Sequence, residues 1–513
     1  MSDWSHGYNV SQGYTYGFYR ELAPDWLDLC ARVAGFVPPV RGPSGEFRYL
    51  ELGSGQGVGL CLLAAANPDG EFVGIDFNPE HIAHANGLAR TAGLENIRFL
   101  EADFAALAGE WPQDLGQFEY VALHGIYSWI SVPLRLALIR CLAHACPPGG
   151  LVYNSYNTKP GWVSTMPFQH MAQRLQVVGA IQGAAAIDAA VELFDNLASE
   201  NSALFRALPT LKARIDAVRS QNRAYLVQEY LHKEWYPLWF SEVAEELGAA
   251  KLNPVGTATI AELMLPGLLG PKIRELINAQ QDPVLRQEVL DCAINQSFRR
   301  DIFCRGARKA FGRGFDAAMG TVFHLVSTPR DEQVKIGTSF GEVTIRQEHF
   351  GAALSALADG PKTLAELIAL PEMQPQGSAS AIQNILLLVH SGAIAVGRET
   401  AADTRPAQRL NAAIAAAVSA GAPYGHAAVP VAGSALAMTD IDWMLLDTWL
   451  STPKCNVEKL GEGLRSRLAQ LGRSLAHEGK PLEGKDLDTR IATLAKAFAD
   501  DAVPRWRRLG AIA

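Results

Sequence analysis

One seven-residue stretch constrains this chain more than any other: Glu51-Leu52-Gly53-Ser54-Gly55-Gln56-Gly57. It closes an apolar, β-rich run, FRYLEL, and leads into LCLLAAANP, which has the pattern of a helix. Three glycines at a strand-to-helix turn let a ligand approach the backbone, because no Cβ stands in the way. The alternation then continues. The runs EFVGID, IRFLEA, FEYVALHG and GLVYNSY are separated by PEHIAHANGLARTAGL, DFAALAGEW and PLRLALIRCLAHACPPGG. Strand and helix in strict turn from residue 46 to 156 predict an α/β fold, a doubly wound Rossmann-like sheet with helices on both faces.

The spacing is G-x-G-x-G. In the dinucleotide fingerprint, G-x-G-x-x-G, the third glycine would stand where this chain has Val58. S-adenosylmethionine has no pyrophosphate to seat at the helix start, and its methionine ammonium favours a nearby carboxylate, which Glu51 is placed to supply. Asp76 ends the second strand, where an acid accepts from both ribose hydroxyls, and Phe77 follows it. Asp103 ends the third strand, where a carboxylate suits the adenine amino group, and Phe104 offers a backbone N–H and a flat apolar contact. Gly53, Ser54, Gly55, Gln56 and Gly57 complete the candidate cofactor cradle. Each acid taken alone reads equally well as a helix cap or a solvated loop residue. Taken with the glycine turn, the three converge on one crevice outside the carboxyl ends of the strands.

The acceptor of a transferred group would approach at the end of the fourth strand, His124-Gly125-Ile126-Tyr127-Ser128-Trp129. No Asn or Asp followed by Pro-Pro-Tyr stands there, which argues against a DNA base. Aromatic faces attract both a sulfonium and a cationic amine. A lysine, with a pKa of about 10.4 in water, must lose its proton before attack, and enclosure among aromatic rings lowers that pKa. His124, Tyr127 and Trp129 are therefore the catalytic candidates, and His124 also borders the cofactor. His124 reads equally as a general base, a hydrogen-bond anchor or a packing residue; Tyr127 and Trp129 also read as core aromatics. The run from Tyr153 to Trp162 either lines an acceptor channel or caps and turns the chain. The aromatic run from Tyr14 to Tyr19 either lids the crevice or packs on the sheet.

Glu51 to Gly57 with Asp76 and Asp103 resembles the motif set of class I S-adenosylmethionine-dependent methyltransferases. The longer strings AAANPDGEFVGIDFNP, HGIYSW, PPGGLVYNSYN and KPGW are similar to bacterial methyltransferases with an appended regulatory domain, among them the rickettsial-type protein lysine methyltransferases. The stretch YLVQEYLHKEWYPLWFSEVAEEL resembles the start of that regulatory domain. The resemblance implies S-adenosyl-L-methionine as methyl donor, S-adenosyl-L-homocysteine as product and an accessible protein lysine as acceptor. It leaves open a homodimer through the helices outside the catalytic domain. A small-molecule or RNA methyltransferase and a non-catalytic cofactor-binding interaction protein are the alternatives.

Four domains are expected: a cofactor-binding methyltransferase domain over 1–165, a helical regulatory or dimerisation domain over 166–330, a winged-helix-like unit over 331–400 and a helical domain over 401–513. A hairpin between TVFHLVS and EVTIR is expected ahead of the winged-helix-like unit. Its would-be recognition helix, SASAIQNILLLVHSG, has no Lys or Arg, and the net charge is −8; both argue against nucleic-acid binding. The basic cluster from Arg299 to Lys309 reads as a solvated helix face or a grip for an acidic partner. Cys141, His144 and Cys146 do not share a helix face, so no metal site is expected. No apolar stretch has the length of a membrane span, residues 1–14 lack the marks of a secretory signal, and seven scattered cysteines suit a cytoplasmic protein.

Overall fold

The computed structural model describes residues 16–312, 315–329, 331, 333–399, 403–478 and 480–513. Tyr14 and Thr15, with the rest of residues 1–15, lie outside them.

Seven strands form one sheet: β1 (Phe47–Leu52), β2 (Gly70–Asp76), β3 (Ile97–Glu101), β4 (Tyr120–Leu123), β5 (Leu151–Asn157), β6 (Leu252–Thr257) and β7 (Phe298–Arg305). Their spatial order is β3-β2-β1-β4-β5-β7-β6. The first five are parallel, and β7 runs antiparallel between β5 and β6. The strand order reverses between β1 and β4, where a parallel sheet opens its ligand crevice. Side chains alternate faces along each strand. Tyr49, Phe72, Tyr120 and Tyr153 enter one core, while Leu50, Val73, Val121 and Val152 enter the other.

The helices are α1 (Pro24–Val33), α2 (Val58–Ala66), α3 (Pro79–Thr91), α4 (Phe104–Gly109) and α5 (Val132–Ala145). Asn78 caps α3 by accepting from Glu80 N at 2.9 Å, with Pro79 at the first helical position. Asp103 caps α4 in the same way through Ala105 N. Helix α2 is apolar all round, so it needs cover on both sides. The sheet supplies one; the helix Arg405–Ser419 and a hairpin of the C-terminal region supply the other.

The largest departure from the expected domain plan lies after β5. The chain leaves the sheet for a helical insertion, α6 (Lys159–Trp162), α7 (Met166–Val178), α8 (Ala184–Ser199), α9 (Ala203–Ala207), α10 (Thr210–Ser220) and α11 (Arg223–Tyr230), with a core of its own. After α12 (Phe240–Gly248) it returns to supply β6 and β7. The main sheet therefore does not end at residue 165: two of its seven strands come from the stretch expected to be a separate helical domain. The basic cluster is likewise not a helix: Arg299, Arg300 and Arg305 lie in β7, and Arg308 and Lys309 follow it. Arg299 is buried and ion-paired with Asp291 and with Asp301 at 2.8 Å, and Arg305 donates to the carbonyls of Ala143 and Cys146.

A smaller sheet of β8 (Val322–Leu325), β11 (Lys362–Thr363) and β12 (Ile394–Gly397) joins three helices in the winged-helix-like unit. The expected hairpin is corrected: TVFHLVS forms β8 in that sheet, and EVTIR lies in β10 (Gly341–Arg346), paired with β9 (Gln333–Thr338). The helix Ser378–Ser391 buries its apolar residues and packs against the helix Ile260–Leu263. The C-terminal region is helical apart from short hairpins, chiefly β13 (His426–Val429) with β14 (Ser434–Ala437), which lies on α2. His84 bridges that region to the glycine turn, 2.7 Å from Gln56 O and 2.9 Å from Tyr424 Oη. No described helix is long and apolar enough to cross a membrane.

Candidate active site

The glycine turn is anchored first by backbone. Gly53 N and Ser54 N both donate to Ile75 O, at 2.7 and 3.0 Å. Gly53, Gly55 and Gly57 have φ of 77°, 52° and 71°, the left-handed region that side chains resist. A Cβ on Gly53 would strike Ile126, and one on Gly57 would strike Ala85 and Phe99. Asp76 then fastens the turn to its neighbour, accepting from Gly55 N (2.8 Å) and Asn78 N (2.9 Å), with His81 Nδ1 at 3.2 Å.

Two hollows open at this edge. A hollow of about 780 Å³ is bordered by Gly53, Gly55, Asp76, Phe77, Asp103 and Phe104, with Ile126 and Trp129 opposite. One of about 460 Å³ is bordered by Glu51, Ser54, Gln56, Gly57, Tyr19 and His124. Every residue that the sequence nominates for the cofactor borders one or the other. Two observations suit the group that the motif implies. Ser54 Oγ is buried and has no hydrogen-bond partner among the described residues. The Glu51 carboxyl is 7% exposed and pushed up to about 8, by burial first and by Asp76 beside it. A buried acid in that state gains most from an incoming ammonium, which restores its charged form.

The catalytic candidates separate. His124 stays at the site: Tyr19 lies over its ring with centroids 3.7 Å apart, and Nδ1 is 3.0 Å from Tyr153 Oη and 3.2 Å from Ser155 Oγ. Burial, reinforced by Arg300, drives it down to about 3. A neutral imidazole of such low basicity anchors neighbours but cannot draw a proton from an amine near neutral pH. Trp129 borders both the larger cofactor hollow and a third cavity, and its buried Nε1 has no partner among the described residues. Tyr127 does not reach the site. The loop sends Ile126 toward the crevice and Tyr127 into the opposite core, fully buried, where its hydroxyl donates to Glu246 beside Arg135.

The third cavity, of about 1340 Å³, shares Tyr19 and His124 with the smaller hollow and Gly125 and Trp129 with the larger. Its far wall is Trp162, Arg214, Tyr225, Glu229 and His232 from the insertion and the segment after it, with Phe298 and Arg300 of β7. Glu229 and His232 lie in the YLVQEYLH string, and Arg300 in the basic cluster, but the sequence alone nominated none of the three for the site. The signal was the density of aromatic residues from Tyr225 to Phe240. Trp162 and Tyr19 come from the two runs for which a lining or lid role stood open.

Residues 43–223 match the family model described as "Methyltransferase domain", and residues 222–305 match "Predicted methyltransferase regulatory domain". A protein of Synechocystis sp. is 32% identical over 517 aligned positions, covering 99% of each chain. A Rickettsia prowazekii protein is 26% identical over 296 positions, covering 57% of this chain and 51% of that one. The solved structure of PKMT2 from Rickettsia typhi in complex with AdoHcy has the same fold. Its TM-score is 0.71 over 97% of this chain and 99% of that chain, at 16% identity.

Proposed function

The chain belongs to the class I S-adenosylmethionine-dependent methyltransferases that carry a regulatory domain, and from that premise we propose that its methyl acceptor is the side-chain amine of a protein lysine. The observation that carries the reading is the junction of the cofactor hollows with the third cavity at Tyr19, His124 and Trp129. When bound, the cofactor supplies a methyl on a positively charged sulfur. Glu51 holds its amino-acid end, the glycine turn meets its backbone-facing side, and Asp76 and Asp103 hold the nucleoside. The aromatic walls exclude water from the acceptor nitrogen and lower its pKa, and most of the rate enhancement is positioning. An apolar lysine stem with a cationic tip suits walls of Trp129, Trp162, Tyr225 and Phe298. The likeness in fold to PKMT2 from Rickettsia typhi, solved in complex with AdoHcy, extends over nearly the whole of both chains and accords with a cofactor of this kind at the glycine turn.

The helical insertion walls the acceptor cavity, so substrate choice is assigned to residues 159–239, within a catalytic unit that runs through β7. The cytoplasm is the proposed location, on the strength of seven free thiols.

The test is transfer of tritiated methyl from S-adenosylmethionine into a bacterial lysate, followed by size separation and amino-acid analysis of the hydrolysed protein. Label in N-methyl-lysine is the expected result. Label confined to RNA or to small molecules would overturn the lysine assignment.

A further inference from the structure

We propose that Glu229 receives the substrate ammonium in the acceptor cavity and takes its proton before methyl transfer, an assignment that rests on the lysine reading above.

Glu229 stands on α11 and is the one carboxylate among the described residues that line this cavity. Among the described residues its hydrogen bonds come from neutral groups, with the Arg214 guanidinium close enough to act on its charge. Asn157 Nδ2, at the end of β5, donates to its Oε1 at 3.3 Å, and the Tyr225 hydroxyl bonds it from the preceding helical turn. Through Tyr225 it adjoins Tyr19, whose ring covers His124 at the mouth of the cofactor hollow. The acid therefore lies on the acceptor side of that mouth.

The other groups facing the cavity do not compete for the role. His124 and His232 are held neutral by burial, down to about 3 and about 4. Arg214 lies over the Trp162 ring at 4.8 Å and Arg300 over Phe298 at 4.9 Å; neither can accept a proton. Tyr19 and Tyr225, and Tyr230 in the core behind them, are raised above the ordinary phenol value, chiefly by burial, and keep their protons. Burial also raises the Glu229 carboxyl, while Asn157, Arg214 and Tyr225 pull it back. A carboxyl made more basic and an enclosed ammonium made more acidic are brought toward each other, the condition for proton transfer between them.

In the step, one lysine N–H bond breaks and its proton goes to a Glu229 oxygen, leaving the lone pair on nitrogen. That pair forms the new N–C bond as the C–S bond breaks, its electrons returning to sulfur as the neutral thioether. The product leaves as a methylammonium, and Glu229 releases its proton to solvent.

The experiment compares the full chain with its Glu229→Gln and Glu229→Asp variants. Each is loaded with S-adenosylhomocysteine and titrated with n-butylamine, which carries the end of a lysine side chain. Initial rates of label transfer to lysate protein are then followed from about pH 6.5 to about pH 9.5, toward the lysine pKa of about 10.4. S-adenosylhomocysteine affinity should be the same in all three, which establishes that the variants are folded. Glu229→Gln should lose n-butylamine binding and about a hundredfold in rate near neutral pH. It should regain rate as pH rises, and Glu229→Asp should fall between. Unchanged binding and rate in Glu229→Gln, or a loss that is flat across pH, would overturn the proposal. Label in RNA or small molecules alone, with n-butylamine binding still dependent on Glu229, would remove the lysine reading and leave the amine-binding acid in place.

Discussion

The two halves of the site are built by different means. Apart from the segment around Tyr19, the cofactor half comes from one continuous stretch, from Glu51 to Leu134, and much of it is backbone: a left-handed glycine turn, strand ends and helix starts. The acceptor half is assembled from side chains on five separated segments, around Tyr19, Trp129, Asn157 to Trp162, Arg214 to His232 and Ser297 to Arg300. A backbone cradle tolerates few substitutions, because its geometry is set by φ and by close approach. A side-chain cavity can be re-lined without disturbing the sheet beneath it. The cofactor half should therefore fail abruptly when altered, and the acceptor half by degrees.

The largest expected effect is at Gly53. Gly53→Val would force a branched side chain to φ of 77° and against Ile126. The backbone cost and the clash together come to about 3 kcal/mol or more, over a hundredfold in cofactor affinity. Calorimetric titration with S-adenosylhomocysteine would measure it, with far-UV circular dichroism showing that the fold persists. Wild-type affinity in this variant would break the contrast, because the turn would then not be the binding element.

The same contrast explains what the sequence made legible. Gly53, Asp76 and Asp103 recur at strand ends in a regular alternation, so their convergence follows from topology. The last two strands broke that pattern. β6 carries Pro254 and Gly256 and a register shift between them, and β7 has two arginines directly after its first residue, Phe298. Arg299 is tolerated in a central strand because Asp291 and Asp301 neutralise it, and those partners are found only in the fold. The insertion then separates β5 from β6 by nearly the length of a small domain, which hides the continuity of the sheet. Tyr127 failed for another reason: beyond the end of β4 no periodicity fixes which loop residue turns inward.

Glu51 offers a pH-dependent test of the cofactor half. A carboxyl raised to about 8 in the folded protein keeps its proton at neutral pH, whereas the unfolded chain loses it near about 4.3. Its contribution to stability is complete below the unfolded value and lost as pH rises toward 8. Cofactor binding should reverse the penalty by pairing the carboxylate with an ammonium, taking up one proton fewer than the free protein holds. Affinity should thus rise between about pH 6 and about pH 8 by up to tenfold per unit. Titration in buffers of different ionisation enthalpy would report the released proton. Glu51→Gln should flatten both the pH slope and the buffer dependence.

A smaller effect is expected in the acceptor half. Trp162→Ala removes one wall of the cavity and the ring under Arg214. An aromatic–cation contact of about 1–2 kcal/mol is lost. The acceptor KM should rise about tenfold, with S-adenosylhomocysteine affinity unchanged. Loss of cofactor binding as well would mean that the two halves are one rigid unit.

The smallest effect separates the site from its surroundings. Tyr127 is adjacent in sequence to Ile126, which borders the cofactor hollow, yet its ring belongs to the opposite core. Tyr127→Phe keeps that ring and removes the hydroxyl donated to Glu246, which retains Arg135 at 3.3 Å. The cost is one partly compensated hydrogen bond, about 1 kcal/mol of stability. It should appear as a lower urea midpoint with the slope unchanged, while kcat, KM and cofactor affinity stay at wild-type values. A slowed turnover at unchanged stability would place the Tyr127 hydroxyl in the chemistry after all, and would mean that the HGIYSW loop turns over when substrate binds.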